Sequence, residues 1–177
     1  MELLDVYSFD RVPTGRRLRR GEPLGPGEYH LVVHICVFDR AGRLLIQRRS
    51  PEKRSWPGLW DLSAGGCAQA GESSQAAAER ELFEELGLEA DLSHTRPVLT
   101  INFETGFDDV FELERELEPA GLRLQAEEVA QARWASQDEV CALLGEGGFV
   151  PYSPDFLSLL FDIHRHGAGL RGKEAEL

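Results

Sequence analysis

GCAQAGESSQAAAERELFEELGL, residues 66–88, reads as a loop that turns into a helix. Gly65, Gly66 and Gly71 permit turns that other residues resist, and Ser73 or Ser74 can cap the first free amides. A helix from there to Leu86 then ends at Gly87, a residue suited to the left-handed position after a helix. At about 100° per residue, Glu81, Glu84 and Glu85 fall within one arc of roughly 100°, with Ala78, Leu82 and Leu86 beside it. One edge of this helix is for packing, and the other is crowded with negative charge.

Carboxylates spaced i, i+3 and i+4 repel by roughly a few tenths of a kcal/mol per pair on an exposed helix, and by more when partly buried. Arg80, four residues before Glu84, offsets only part of that repulsion. A hard divalent cation would offset the rest, since oxygen ligands suit Mg²⁺ or Mn²⁺, whereas the three glutamates taken alone read first as a solvated acidic face. The spacing of the whole stretch favours the cation. Gly66, five residues, Glu72, seven residues, then Arg80-Glu81-Leu82-Phe83-Glu84-Glu85-Leu86-Gly87-Leu88 resembles the signature of the Nudix hydrolase superfamily at every specified position.

That resemblance implies an α/β fold, an α/β/α sandwich whose mixed β-sheet carries the signature loop and helix on one side, with C-terminal helices. It implies hydrolysis of a diphosphate linked to some other moiety. By the same resemblance Glu81, Glu84, Glu85 and the Gly65 carbonyl would hold Mg²⁺ or Mn²⁺, Arg80 would orient the glutamates, and Glu72 would hold the loop against the helix. The general base is open between Glu84, Glu128 and Asp109, and Arg48 and Lys53 are the candidates for the diphosphate.

Length and charge fit this picture. A chain of 177 residues with 42% hydrophobic content supports one domain with a sizeable core. No run approaches the roughly 18 apolar residues of a membrane span, and Met1-Glu2-Leu3-Leu4-Asp5 lacks the basic start of a secretory signal, so a cytoplasmic location is expected. Cys36, Cys67 and Cys141 are widely spaced, as expected of reduced thiols. A net charge of −12 argues against a nucleic-acid polymer as partner, because phosphate backbones are bound by Lys and Arg. A small diphosphate remains compatible if a metal and local cations reverse the sign of the potential in the cleft. The cluster Arg48, Arg49, Lys53 and Arg54 could do that or serve solubility.

Residues 1–27 read as an N-terminal hairpin and loop, 28–166 as the catalytic domain and 167–177 as a frayed tail. Glu2 to Phe9 is expected to be a strand, with Pro13-Thr14-Gly15 turning into the basic run Arg16 to Arg20, which either touches a phosphate or blunts a solvated edge. His30 to Phe38 is continuously apolar and, joined by a short turn to Arg43–Gln47, should form the sheet's centre, covered on both faces. His30 and His34 share a strand face, for structural hydrogen bonds or a metal. Trp56-Pro57-Gly58-Leu59-Trp60 is a shaped wall, either packing on the sheet or flanking substrate. Asp61 to Ala64 should deliver Gly65, and further strands are expected at 96–104, 108–114 and 132–134. Ser136 should cap a helix to Leu144, and Ser153-Pro154 should open a last helix to His164.

Tyr29-His30-Leu31, Arg48-Arg49-Ser50 with Lys53, the Trp56–Trp60 wall and Tyr152-Ser153-Pro154 resemble the branch containing type 1 isopentenyl-diphosphate isomerases. Those isomerases use a cysteine, a histidine two residues on, and a later glutamate. Gly65, Cys67 and Asp109 hold these positions here, while Arg80, Glu81, Glu84 and Glu85 are intact. The expectation is therefore a relative that hydrolyses, with isomerase-like activity and a catalytically silent ligand sensor as alternatives. The resemblance also leaves room for a homodimer.

Overall fold

The computed structural model describes residues 2–167. Its axis is β3 (His30–Phe38), which runs parallel to β8 (Gly106–Glu114) from His30 opposite Gly106 to Phe38 opposite Glu114. On its other side β3 changes partner. At Phe38 it meets Leu44 of β4 (Leu44–Arg49), and along Val32 to Ile35 it pairs antiparallel with β6 (Ala64–Cys67). The expected β3–β4 hairpin thus touches at a single residue pair, and β4 spends its ladder on β5 (Trp60–Asp61) and β9 (Val129–Ala135). The resulting fork is held at Ser63, whose buried hydroxyl donates to Leu45 O at 2.5 Å and accepts from Val37 N at 2.8 Å. This is why the single strand expected over Asp61 to Ala64 is split into β5 and β6. Edge strand β7 (Leu99–Phe103) pairs antiparallel with β8.

The unbroken apolar run of β3 is covered on both faces, as its sequence predicts. Val33, Ile35 and Val37 face α1 (Ser74–Leu86) through Ala77, Ala78, Leu82 and Leu86, all buried. Cys36 and Phe38 face Val140 of α2 (Gln137–Gly145) and Leu157, Leu160 and Phe161 of α3 (Pro154–His166). The result is an α/β/α sandwich. Ser136 caps α2 in a reciprocal box with Glu139, and Pro154 sits at the start of α3, where a missing N–H costs nothing.

A separate hairpin of β1 (Leu3–Tyr7) and β2 (Pro13–Arg19) packs Leu4, Val6 and Leu18 against Cys67. The chain reverses over Ser8 to Val12, with Arg11 at φ 58°, whereas Pro13-Thr14-Gly15, expected as the turn, is already strand; Thr14 Oγ1 donates to Val6 O at 2.9 Å across the pair. Arg11 then pins the hairpin to the main sheet by a two-pronged pair with buried Asp109. The expected frayed tail lies, beyond Gly167, outside the described residues. No described helix is long and apolar enough to cross a membrane.

Candidate functional site

Helix α1 is set by its ends. Ser73 accepts from Ala76 N at 3.1 Å, and Gly87 at φ 69° closes the helix with its N–H on Phe83 O at 2.9 Å. With its apolar stripe fixed on β3, the acidic edge is driven against β6 and the fork. Glu85 is almost fully buried there, its Oε2 accepting from Gly65 N at 3.2 Å on β6 and from Gln47 Nε2 at 3.3 Å on β4. Glu81 lies over Gly66, so close that a Cβ at Gly66 would strike its carboxylate. Gly65 and Gly66, expected as turn residues, are strand residues. What they supply is the absence of a side chain where the helix edge approaches.

Arg80 ties the signature loop to Glu81 and Glu84 of this edge. It donates to Glu72 through Nε at 2.7 Å and Nη2 at 3.0 Å, to Glu81 at 2.7 Å, to Glu84 at 3.0 Å and to Cys67 O at 3.0 Å. The structure gathers Lys53, Gly65, Glu81, Glu84, Glu85 and Glu128 around a cleft of about 60 Å³ that Glu2, Arg20, Gly66 and Gln125 also line. Lys53 reaches Glu128 as an ion pair across it. Two expected residues are placed elsewhere. Arg48 donates to Gly58 O at 2.9 Å and does not line the cleft, and Asp109 is taken up by Arg11 and by Thr100 at 2.6 Å. Gln47 and Gln125 were not singled out by the sequence. The sequence held no clear signal for either, since Gln47 precedes two arginines in β4 and Gln125 lies in a polar stretch; the structure brings Gln125 in through its N–H on Glu85 O at 3.1 Å.

The electrostatics follow from burial. Burial, then the neighbouring Glu81 charge, pushes the Glu85 carboxyl up to about 7, against the pull of Lys53 and the Gly65 N–H. Glu81 is raised as well, mainly by burial, which outweighs Arg80. Burial, with Arg49 adding to it, lowers the Lys53 ammonium. Without metal, the folded protein therefore keeps a proton on Glu85 that the unfolded chain has lost. The contribution of Glu85 to stability is greatest below the ordinary carboxylate pKa and declines as pH rises to about 7. In EDTA, Tm should fall between about pH 5 and pH 7.5, and Glu85→Gln should flatten that fall; scanning fluorimetry at several pH values checks both.

The donor set fits a hard divalent cation. It consists of carboxylate and carbonyl oxygens whose mutual repulsion a cation would relieve, beside a buried Gln47 Oε1 with no protein partner. Among the described residues no three His, Cys, Asp or Glu side chains stand as a ready-made metal shell, and Arg80 is paired with Glu81 and Glu84. A cation would compete with that guanidinium.

A second polar cluster lies on the opposite face of β3. His34 Nδ1 meets Asp108 at 2.8 Å, Tyr152 OH lies 3.3 Å from His34 Nε2 and donates to Asp61 at 2.8 Å, and Asp61 also binds Arg49 at 2.8 Å. His30 meets Thr105 O at 2.7 Å. Both histidines therefore have structural hydrogen bonds. Beyond Asp108, Leu99, Ile101, Phe103, Tyr152 and Phe156 line an apolar pocket of about 610 Å³ that shares no residue with the carboxylate cleft. Of the tryptophan wall, Trp60 packs on the α2–α3 core and Trp56 is exposed.

A model of the NUDIX domain matches residues 28–156. The chain belongs to the Nudix hydrolase family. It is 48% identical over 163 residues to a Nudix hydrolase of Listeria monocytogenes, covering 92% of this chain and 95% of that protein. An isopentenyl-diphosphate Delta-isomerase of Streptomyces coelicolor is 34% identical over 145 residues, covering 79% of this chain and 72% of that one. A crystal structure from Deinococcus radiodurans matches the fold with a TM-score of 0.72 over 90% of this chain and 97% of that chain, at 24% identity. A MutT protein from Methanosarcina mazei matches with a TM-score of 0.62 and 26% identity, over 78% of this chain and 96% of that one. The Nudix match begins at residue 28, so the β1–β2 hairpin lies outside it.

Proposed function

We propose that this Nudix protein is a Mg²⁺- or Mn²⁺-dependent hydrolase that cleaves the diphosphate bond of a small molecule. The observation that carries the reading is the burial of Glu85 between Gly65 and Gln47 with Glu81 and Glu84 along the same helix edge. Glu81, Glu84, Glu85 and the Gly65 carbonyl would hold the metal, which when bound neutralises phosphate charge and lowers the pKa of water. Arg80 keeps the glutamates aligned on one edge. Lys53 stands where a phosphate oxygen would replace Glu128 as its partner, and Glu128, once released, is a carboxylate across the cleft able to take the proton of the attacking water. Glu84, the most exposed of the three helix glutamates, is the other acceptor.

Isomerisation is the competing reading because of the isomerase relative. Gly65 holds the position of the isomerase thiol, and a Cβ there would lie 2.8 Å from Val33 O and 2.6 Å from His34 Cδ2. This backbone leaves no room for such a side chain. Incubation with a panel of sugar, nucleoside, dinucleotide, isoprenoid and coenzyme A diphosphates, with Mg²⁺ and with Mn²⁺, should give metal-dependent products one water heavier than the substrate in total mass. Conversion of isopentenyl diphosphate to its isomer without such products would replace hydrolysis by isomerisation.

A further inference from the structure

Five carboxylates, Glu2, Glu81, Glu84, Glu85 and Glu128, line the cleft against two cations, Lys53 and Arg20. Lys53 comes from within the Nudix-matched segment, whereas Arg20 comes from the end of the hairpin that precedes it. The hairpin is not loosely attached. Tyr7 exchanges backbone hydrogen bonds with Tyr29 at 2.8 and 3.0 Å, Ala70 N donates to Leu3 O at 2.7 Å, and Gly71 N donates to Asp5 at 2.6 Å. These contacts join it to the β3 entrance and to the signature loop, so Arg20 is carried on a rigid element over the catalytic carboxylates.

Its ion-pair partner Glu2 is displaceable. Arg20 Nη1 donates to Glu2 Oε2 at 2.8 Å, and both side chains are about half exposed, at 51% and 39%. An exposed pair of this kind contributes little to stability. A guanidinium set one residue past β2, with its backbone N–H held on Glu2 O at 3.0 Å and its side chain paired only at the surface, is placed to bind a planar oxyanion through two parallel N–H groups.

Resting on the diphosphate-hydrolase reading, we propose that Arg20 is a substrate-binding residue that takes a phosphate oxygen of the diphosphate in exchange for Glu2, with Glu2 holding its place in the free protein. The group read is the phosphate, so the effect is common to every diphosphate the enzyme accepts.

Titration of inorganic pyrophosphate into the full-length protein by calorimetry, with and without Mg²⁺, tests this without turnover. Arg20→Ala should weaken Mg²⁺-dependent pyrophosphate binding about tenfold or more, as expected for loss of a charge-assisted hydrogen bond, with Tm nearly unchanged. Arg20→Lys should recover part of the affinity, and Glu2→Gln should leave it equal or tighter. In kinetics, Arg20→Ala should raise KM by a similar factor for each diphosphate turned over and change kcat less. Pyrophosphate affinity within twofold of wild type in Arg20→Ala, or weakened binding in Glu2→Gln, would overturn the assignment. If the wild type binds pyrophosphate through Arg20 but hydrolyses no diphosphate, the hydrolase reading fails while this one stands.

Discussion

Glu85→Gln is expected to lower Mg²⁺-dependent turnover by about a thousandfold or more while the protein stays folded. A thousandfold corresponds to roughly 4 kcal/mol of lost transition-state stabilisation, the scale expected when a metal-holding carboxylate is replaced by a neutral amide. The fold should tolerate the change because Gln has nearly the same volume and its amide oxygen can still accept from Gly65 N and Gln47 Nε2. Removing a buried charge also removes its repulsion with Glu81. In metal-free buffer near pH 8, Tm should therefore hold or rise. Circular dichroism and thermal melts with and without Mg²⁺ separate the two effects, and Mg²⁺ should raise the Tm of the wild type more than that of the variant. Near-normal rates in a folded Glu85→Gln protein would remove this cluster from the chemistry.

The sequence made the centre of this molecule legible and its periphery less so, for physical reasons. The signature helix could be placed to within a residue at its start, where Ser73 and not Ser74 is the cap, and at Leu86 at its end, because its cap, its apolar stripe and its Gly87 stop are all local signals. β3 was equally plain, since a nine-residue run in which only His30 and His34 are polar admits few alternatives. The fork beside it was not, because whether β4 or β6 accompanies β3 is decided by long-range pairing and by the Ser63 hydroxyl that satisfies both sides of the gap. In the site, Lys53 and Glu128 converge on the carboxylates although 75 positions separate them. Arg48 and Asp109 show the limit of argument by type and proximity in sequence. Arg48 turns to the Gly58 carbonyl, and Asp109 faces the α1 side, where Arg11 from the hairpin neutralises it. The basic run Arg16 to Arg20 reads first as a charge-blunted edge; that Arg20 also lines the carboxylate cleft depends on how the hairpin leans on the signature loop, which no local signal encodes.

The two glycines beneath the acidic edge give the sharpest separation between fold and chemistry. Neither has a positive φ, so alanine at either position meets no backbone strain and the cost is one of space alone. At Gly66 the space is occupied by the end of a flexible side chain: a Cβ would strike the Glu81 carboxylate, Oε2 lying at 2.8 Å and the other atoms nearer. The cheapest response is for Glu81 to swing away, which also breaks its 2.7 Å bond to Arg80. Gly66→Ala should therefore lower kcat about a hundredfold with a Tm within a few degrees of wild type, because displacing one carboxylate from a preorganised edge costs transition-state stabilisation rather than packing. At Gly65 a Cβ would lie 2.8 Å from the backbone oxygen of Val33, and a ladder carbonyl cannot swing aside. Gly65→Ala should cost about 1–3 kcal/mol of stability, as overpacking does, and lower Tm by roughly 2–12 °C. Melting curves and steady-state rates on the two variants read the contrast directly. Wild-type kcat in Gly66→Ala would mean that the position of Glu81 does not matter to the reaction, and the role given to the acidic edge would then rest on Glu84 and Glu85 alone.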